Sequence, residues 1–368
     1  MHPKIRVAVV GVDGVGRFWG ARAHVPAVRA TPQMELVAIC TAHDETAKLA
    51  AEKFGIPMYF WDYKDAVNHP DIDLITVAVR VRYHHRIVKA ALEAGKMVFC
   101  EWPLGMNSQE ALELAQLAEQ KSIQTAVGTQ GRFSPGLSYL KRLLEQNYIG
   151  RPLFFHLTHF LPKFEIWSDH SWPAKNGEAN DVLFVATAHS IDSLRVCLGE
   201  PESVIGTQET LMPQWRLSDT NEGFEWTATD TVSCQVQLRN KIMGTIHVSH
   251  ACWSGTGFRL EVYGEGGKLV AAAPGYVSYS PIRIFSAKNG ERERQLLIPK
   301  ELYKVRSINE KDPAFSVGQL LHYFVSARAS KSVFHPNFRD AYSLHKIIEA
   351  IDRSSVTKKW ESVGTNSI

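Results

Sequence analysis

The feature that most constrains this chain is an alternation of short apolar runs with helical patterns across its first 128 residues. The runs are "IRVAVV" (5–10), "ELVAIC" (35–40), "DLITVAV" (73–79), "MVFC" (97–100) and "QTAVG" (124–128). They are nearly unbroken in apolar character, as strands covered on both faces must be. Helical patterns lie between them. "DETAKLAAEKFG" offers Asp44 as an N-cap and ends at Gly55, "HHRIVKAALEAG" ends at Gly95, and "NSQEALELAQLAEQK" sets Asn107 and Glu110 in capping-box spacing. This alternation predicts an α/β domain over residues 1–128, a doubly wound parallel sheet of the Rossmann kind.

Residues 129–368 read differently. A helix is expected over "RFSPGLSYLKRLLEQNYIG", then an alternating strand at "PLFFHLTHFL" (152–161). An aromatic and polar loop to about residue 180 and a helix at "VLFVATAHSIDSLRVCLG" follow. Four strand-like segments come next, "ESVIGTQET", "TDTVSCQVQL", "KIMGTIHVSHA" and "FRLEVYGEGGKLVA", and a last helix near 338–355. Adjacent strands joined by short turns predict a second, α+β domain with an open, mostly antiparallel sheet.

Bulk properties exclude several functions. The net charge of +3 is spread along the chain and argues against nucleic-acid or anionic-membrane partners. No apolar run approaches the ~20 residues of a membrane span. The opening "MHPKIRVAVV" enters a strand almost at once, so neither a signal peptide nor a non-cytoplasmic location is expected. The five cysteines, Cys40, Cys100, Cys197, Cys234 and Cys252, are odd in number and lack a CxxC. They read as reduced, mainly buried thiols, and no metal-ligand spacing stands out. His84 and His85 start a helix and point in different directions.

Chemistry enters at the first strand-to-helix turn. "GVDGVGRFWGA" places Gly11, Gly14 and Gly16 near a G-x-G-x-x-G pattern, with Asp13 in the middle slot. At such a turn the backbone of Gly11, Val12, Asp13, Gly14 and Val15 can hold a pyrophosphate. A plain Gly-rich turn is the competing reading. The second strand normally ends on an acid that reads the adenosine ribose; Thr41 stands in that slot here, with His43 nearby. Two hydrogen-bond donors and no carboxylate tilt the expectation from NAD toward NADP. Val79, Arg80 and His84 follow the third run and are expected on the cofactor side, although a surface Arg80 reads equally well.

The segments "CEWPLG", "TQGRFSP", "YIGRPL", "HSIDSL" and "DAYSLHKIIEAIDRSS" recur in this order in a known family. The chain resembles the glucose–fructose oxidoreductase/inositol dehydrogenase (Gfo/Idh/MocA) family over nearly its whole length. Within that family it is most similar to the branch of the yeast galactose-pathway repressor, through Glu101-Trp102, Gln130–Pro135 and Ala188–Asp192. The resemblance implies NAD or NADP, a sugar, polyol or cyclic-alcohol substrate, and a homodimer or homotetramer formed through the open sheet. By the same resemblance Glu101 contacts the nicotinamide ribose, Gln130 and Arg132 pass the nicotinamide pocket, and His189 serves catalysis. Arg132 has a second reading as a structural ion-pair partner between the two domains.

Two departures qualify the resemblance. Trp102 stands where most members carry the lysine that assists proton transfer, and Val185 where many carry an aspartate. An indole N–H donates but does not exchange its proton at useful pH. Trp102 is then a platform for substrate or nicotinamide, joined by Asp169, His170 and Trp172 from the aromatic loop. The expected function is an NAD(P)-dependent oxidoreductase with a rearranged proton relay. The alternatives are a non-catalytic NAD(P)-binding regulator and a lyase or hydrolase that oxidises transiently.

Overall fold

The computed structural model describes residues 3–163 and 165–364, and the chain divides into two compact units. The first holds residues 1–130 and 303–342, and the second holds 131–302 and 343–368. The return of 303–342 to the first unit departs from a boundary at residue 128. Its helix Pro313–Ala329 is apolar nearly all round, with Phe315, Val317, Leu320, Leu321 and Phe324 buried, so its sequence carries no solvent-facing stripe to betray its place.

In the first unit the strands are β1 (Ile5–Val10), β2 (Met34–Cys40), β3 (Met58–Phe60), β4 (Leu74–Val77), β5 (Met97–Glu101) and β6 (Thr125–Gly128). The helices are α1 (Val25–Arg29), α2 (Asp44–Phe54), α3 (Tyr63–Asn68), α4 (His84–Glu93) and α5 (Ser108–Gln120). The sheet is parallel throughout, in the order β3-β2-β1-β4-β5-β6. This is the dinucleotide-binding order, two halves winding outward from β1 and β4. The α2 cap is His43 rather than Asp44, which is the first helical residue, while Gly55 ends the helix in the left-handed region at φ +60°. Asn107 accepts from the Glu110 N–H at 2.9 Å, and Glu110 reaches back to the Met106 N–H.

The second unit starts with α6 (Pro135–Glu145) and β7 (Pro152–Pro162), then α7 (Ala188–Leu198) after a π-helical turn, Leu183–Thr187. Next come β8 (Pro201–Glu209), the hairpin β9 (Gln214–Arg216) and β10 (Gly223–Glu225), β11 (Thr231–Leu238) and β12 (Met243–Cys252). After these come β13 (Gly257–Gly264), β14 (Gly267–Ala273), β15 (Arg283–Lys288) and β16 (Arg294–Leu296). The chain then passes through α8 (Pro313–Ala329) and α9 (Phe338–Thr357) to β17 (Glu361–Ser362). The nine-stranded sheet runs β16-β15-β14-β13-β7-β12-β11-β8-β17. All neighbours are antiparallel except β7 and β12.

Backbone contact fixes the first turn. Gly11 has φ +102°, and a Cβ there would lie 2.2 Å from the Ala78 carbonyl oxygen. A Cβ on Gly20 would lie 2.3 Å from the Gly11 carbonyl oxygen. Gly20 therefore does the helix-packing work that the sequence pattern assigns to a nearer glycine. Regular helical structure starts only there, with the π turn Gly20–His24. Gly20→Ala should cost about 1–3 kcal/mol by overpacking. Gly14→Ala, whose Cβ meets nothing nearer than 3.6 Å, should stay within about 0.5 kcal/mol. Urea unfolding of both variants checks the order.

Burial also sets the acid stability of the second unit. It lowers the His159 imidazole from 6.5 to about 3, His250 to about 4 and His345 to about 3. The unfolded chain therefore takes up these protons first, so their contribution is complete above pH 6.5 and fades as pH falls toward 4. Asp181 works the other way, since burial raises its carboxyl to about 6 and the folded chain protonates first. Between pH 6 and 5 the unfolded chain thus holds about two more protons than the folded chain, or roughly 3 kcal/mol of lost stability per pH unit. Urea midpoints at pH 7, 6 and 5 should fall accordingly, and His345→Leu should flatten the slope by about one proton; equal midpoints contradict the assignment.

Candidate functional site

The carboxyl ends of the β1–β6 strands carry the first group of candidate residues. Beyond β1 the chain makes a long turn before Gly20. Asp13 organises it: its carboxylate accepts from the Arg17 and Phe18 backbone N–H groups at 2.7 and 2.9 Å. Gly16 is left-handed at φ +80°, and Val15 is 77% exposed at the turn's outer edge. A chain with a Cβ at Gly11 or Gly20 could not bring backbone so close to the strand tips. The turn therefore fits a bound pyrophosphate, with the Asp13 carboxylate competing for two of its N–H donors.

At the tip of β2, Thr41 donates toward the His43 carbonyl at 2.9 Å and lies 2.7 Å from the Thr46 hydroxyl. His43 is exposed as the α2 cap. No carboxylate ends β2, as the sequence indicates.

His84 is buried, with Nδ1 2.7 Å from the Pro103 carbonyl and Nε2 3.0 Å from the Val79 carbonyl. It ties the loop after β4 to the loop after β5. Burial lowers its basicity, against the pull of both carbonyls. Among the predicted cofactor residues, His84 is therefore held inside the unit, where it joins two loops at the strand ends. His85 turns away to Glu113 at 3.1 Å. Val79 and Arg80 are partly exposed at the same crown, Arg80 capping the short turn Val81–Tyr83.

Glu101 ends β5. Its Oε1 lies 2.8 Å from Nε2 of His24, a fully buried ring that sequence reading missed. The signal was present in "ARAHVPAV", a histidine on an otherwise apolar helix face. Trp102 follows and is buried at 6% exposure. Thr129 and Gln130 are buried just past β6, where the Thr129 hydroxyl and the Gln130 amide oxygen have no hydrogen-bond partner among the described residues. Orphaned buried acceptors at strand tips suit a hydroxylated ligand.

The second unit gathers the other group. Arg132 forms a bidentate pair with Asp192, Nε to Oδ2 at 2.6 Å, and Arg195 joins Asp192 to Glu200. The ion pair expected between domains is instead made inside the second unit, because Asp192 on α7 belongs to the same unit as Arg132. His189 is 7% exposed and meets the Tyr276 ring edge-on at 6.0 Å. His159 and His250 meet the same ring edge-on at 5.2 and 6.2 Å, and Tyr279 stacks on it at 5.5 Å. His159 also bonds the Ser190 hydroxyl at 3.0 Å. Sequence reading had only His189; the other rings come from β7, β12 and the loop after β14, with no motif to join them.

The aromatic loop has a core of its own. Ile166, Ala174, Trp226 and Ala228 pack together, with Trp215, Leu217 and Phe224 against them. Lys163 is buried beside Trp226 and Trp215, at 4.3 and 5.1 Å from their ring centres, and 3.5 Å from Asp230. Asp230 also accepts from the Leu211 and Met212 N–H groups, both at 2.9 Å. Asp169 is exposed on the turn Ser168–His170, and Trp172 is partly exposed on the next turn. The side chain of His170 lies outside the described residues. Among the described residues no cluster of ligating side chains could hold a metal, the five cysteines are free, and no helix is long and apolar enough to cross a membrane.

Levoglucosan dehydrogenase of Pseudarthrobacter phenanthrenivorans is 25% identical over 389 aligned residues, covering 96% of this chain and 97% of its own. A structure of a levoglucosan dehydrogenase in complex with NADH and L-sorbose superposes with a TM-score of 0.83 at 23% identity, over 99% of this chain and 100% of the other. A super-repressor mutant of Gal80p from Saccharomyces cerevisiae superposes with a TM-score of 0.87 at 19% identity, over 98% of each chain. At such identities these two structures show a shared fold. Residues 5–129 match the oxidoreductase family with an NAD-binding Rossmann fold, and residues 137–270 match the C-terminal domain of the same family. The chain therefore belongs to the Gfo/Idh/MocA oxidoreductase family.

Proposed function

We propose that the protein oxidises or reduces a sugar, polyol or related cyclic alcohol with NAD(P), through a proton relay that does without the customary lysine. The observation that carries this reading is His189 set among Tyr276, His159 and His250. With His159 at about 3 and His250 at about 4, those two rings are uncharged near neutrality. Neutral imidazoles and phenols read hydroxyl groups by hydrogen bonding and offer no anchor for a carboxylate or phosphate. Two relatives, a levoglucosan dehydrogenase and the myo-inositol 2-dehydrogenase of Thermotoga maritima, take their names from an anhydro-sugar and a cyclic polyol.

The nicotinamide coenzyme supplies hydride acceptance. The Gly11–Gly20 turn holds its phosphates, and Glu101 takes hydroxyls of the nicotinamide half. Thr41 and His43 leave room for a 2′-phosphate, which favours acceptance of NADP beside NAD. In the second unit His189 takes the proton of the substrate hydroxyl as its carbon gives up hydride; in the first, Trp102 packs beside the end of β5 in the nicotinamide half. Asp169 and Trp172 border the substrate.

The second reading, a regulator that binds coenzyme without turnover, draws on Trp102 and Val185 in the two replaced positions and on the Gal80p likeness. Turnover separates the two. Wild-type protein given NAD or NADP and a panel of sugars, inositols and anhydro-sugars should produce reduced nicotinamide absorbance. His189→Ala should lower kcat by about 10²–10⁴-fold while coenzyme affinity is kept. Full turnover by His189→Ala contradicts the assignment. No turnover by wild type, with activity gained on Trp102→Lys, selects the regulator.

We also propose that the open sheet face is covered by a second copy of the chain. Met243, Phe154 and Tyr263 form a row across β12, β7 and β13, with Phe154 stacked on Tyr263 at 4.7 Å. Met243 and Phe154 are 55% and 49% exposed, more apolar surface than an uncovered sheet comfortably shows. Light scattering should report an oligomer that Phe154→Lys dissociates; a wild-type monomer contradicts this.

A further inference from the structure

His24 belongs to the element that follows the Gly-rich turn, yet its side chain reaches the tip of β5. The ring is wholly buried, stacked on Phe99 at 4.9 Å and 24°, with Nε2 2.8 Å from Glu101 Oε1. Its Nδ1 is buried without a hydrogen-bond partner among the described residues. A proton on Nδ1 would be a buried donor facing no acceptor, so the geometry fits the Nε2–H tautomer, donating to the carboxylate. The other carboxylate oxygen is held too. A Cβ on Gly128, the β6 residue paired with Glu101, would come within 2.3 Å of Oε2. His24, itself stacked on Phe99, and the bare backbone of Gly128 thus flank the Glu101 carboxylate, which is 13% exposed.

The place of this clamp gives it a task. β1 and β2 carry the Gly-rich turn and the ribose slot, the adenosine half of a dinucleotide fold. β4, β5 and β6 form the other half, where the nicotinamide mononucleotide lies. The oxidised nicotinamide ring carries a positive charge that the reduced ring lacks. A carboxylate fixed at the tip of that half interacts with the two redox forms unequally, and the preference survives only while it stays aimed.

We propose that His24 is a positioning residue that, with Gly128, aims the Glu101 carboxylate at the nicotinamide half and so makes the protein prefer oxidised over reduced coenzyme. The inference rests on the nicotinamide reading of the site. His24 acts through Glu101 and takes no part in proton transfer. Its position is exacting, because the donor is Nε2: glutamine can place an amide N–H there, whereas asparagine reproduces only the Nδ1 position.

The test is titration of tryptophan fluorescence with NAD and, separately, with NADH, on wild type, His24→Gln, His24→Asn, Gly128→Ala and Glu101→Gln, each with a thermal melt. Expected is a loss of NAD affinity of about tenfold in His24→Asn, Gly128→Ala and Glu101→Gln, the size of a hydrogen bond to a charged group. NADH affinity should change by less, narrowing the oxidised-to-reduced preference, and His24→Gln should restore it. A folded His24→Asn that keeps the wild-type preference, or loses both forms equally, overturns the proposal. If His24→Asn fails to fold, Gly128→Ala and Glu101→Gln decide it alone, since they disturb the carboxylate without touching the buried ring; an unchanged preference in both overturns it. A wild type that binds neither form overturns the coenzyme reading itself, a result distinct from failure of the clamp.

Discussion

The first unit depends on one backbone contact, the Cα of Gly20 laid against the carbonyl of Gly11 with no room for a Cβ between them. That contact lets the first helical turn start close to the sheet, and Gly11 in turn presses against the Ala78 carbonyl beyond β4. The tips of β1 and β4 are thereby brought together at the point where the sheet order reverses, the place where doubly wound sheets bind ligands. Everything assigned to the coenzyme follows from that convergence. The turn, Thr41, the His84-tied loops and Glu101 all lie at strand ends that these contacts hold in register.

Much of the fold was legible because parallel strands buried on both faces leave continuous apolar runs, and the β1–β6 runs are of that kind. Helix ends were legible where caps obey local chemistry, as at Gly55 and at Asn107 with Glu110. The capping of α2 slipped by one residue because Asp44 contributes charge to the first turn without being the cap. The helix α8 escaped notice because it is apolar nearly all round, so its sequence has no amphipathic period to announce it.

The site was legible only where it is local. Glu101, Trp102 and His189 stand in short segments whose neighbours share their role. His24, Tyr276, His159 and His250 act through partners far along the chain, and each looks like an ordinary buried ring in sequence. The Gly pattern also misled locally: Gly14, one residue past the middle slot, would place a Cβ only in ordinary contact with Leu49 and Ala50, while Gly20, outside the fingerprint, leaves no room for one. Against the aromatic loop, Trp215 on β9 and Trp226 just past β10 are spent on a small core around Lys163, so tryptophan abundance alone overstates the surface left for substrate.

Both readings of function share the claim that a pyridine dinucleotide lies across these strand tips. Amide hydrogen exchange with and without NAD measures it directly, because bound coenzyme slows exchange where it covers backbone N–H groups. The account predicts added protection in residues 11–20, 79–84 and 98–105. A folded protein with unchanged exchange in all three segments at saturating NAD and NADP, or with protection confined to other parts of the chain, would contradict it.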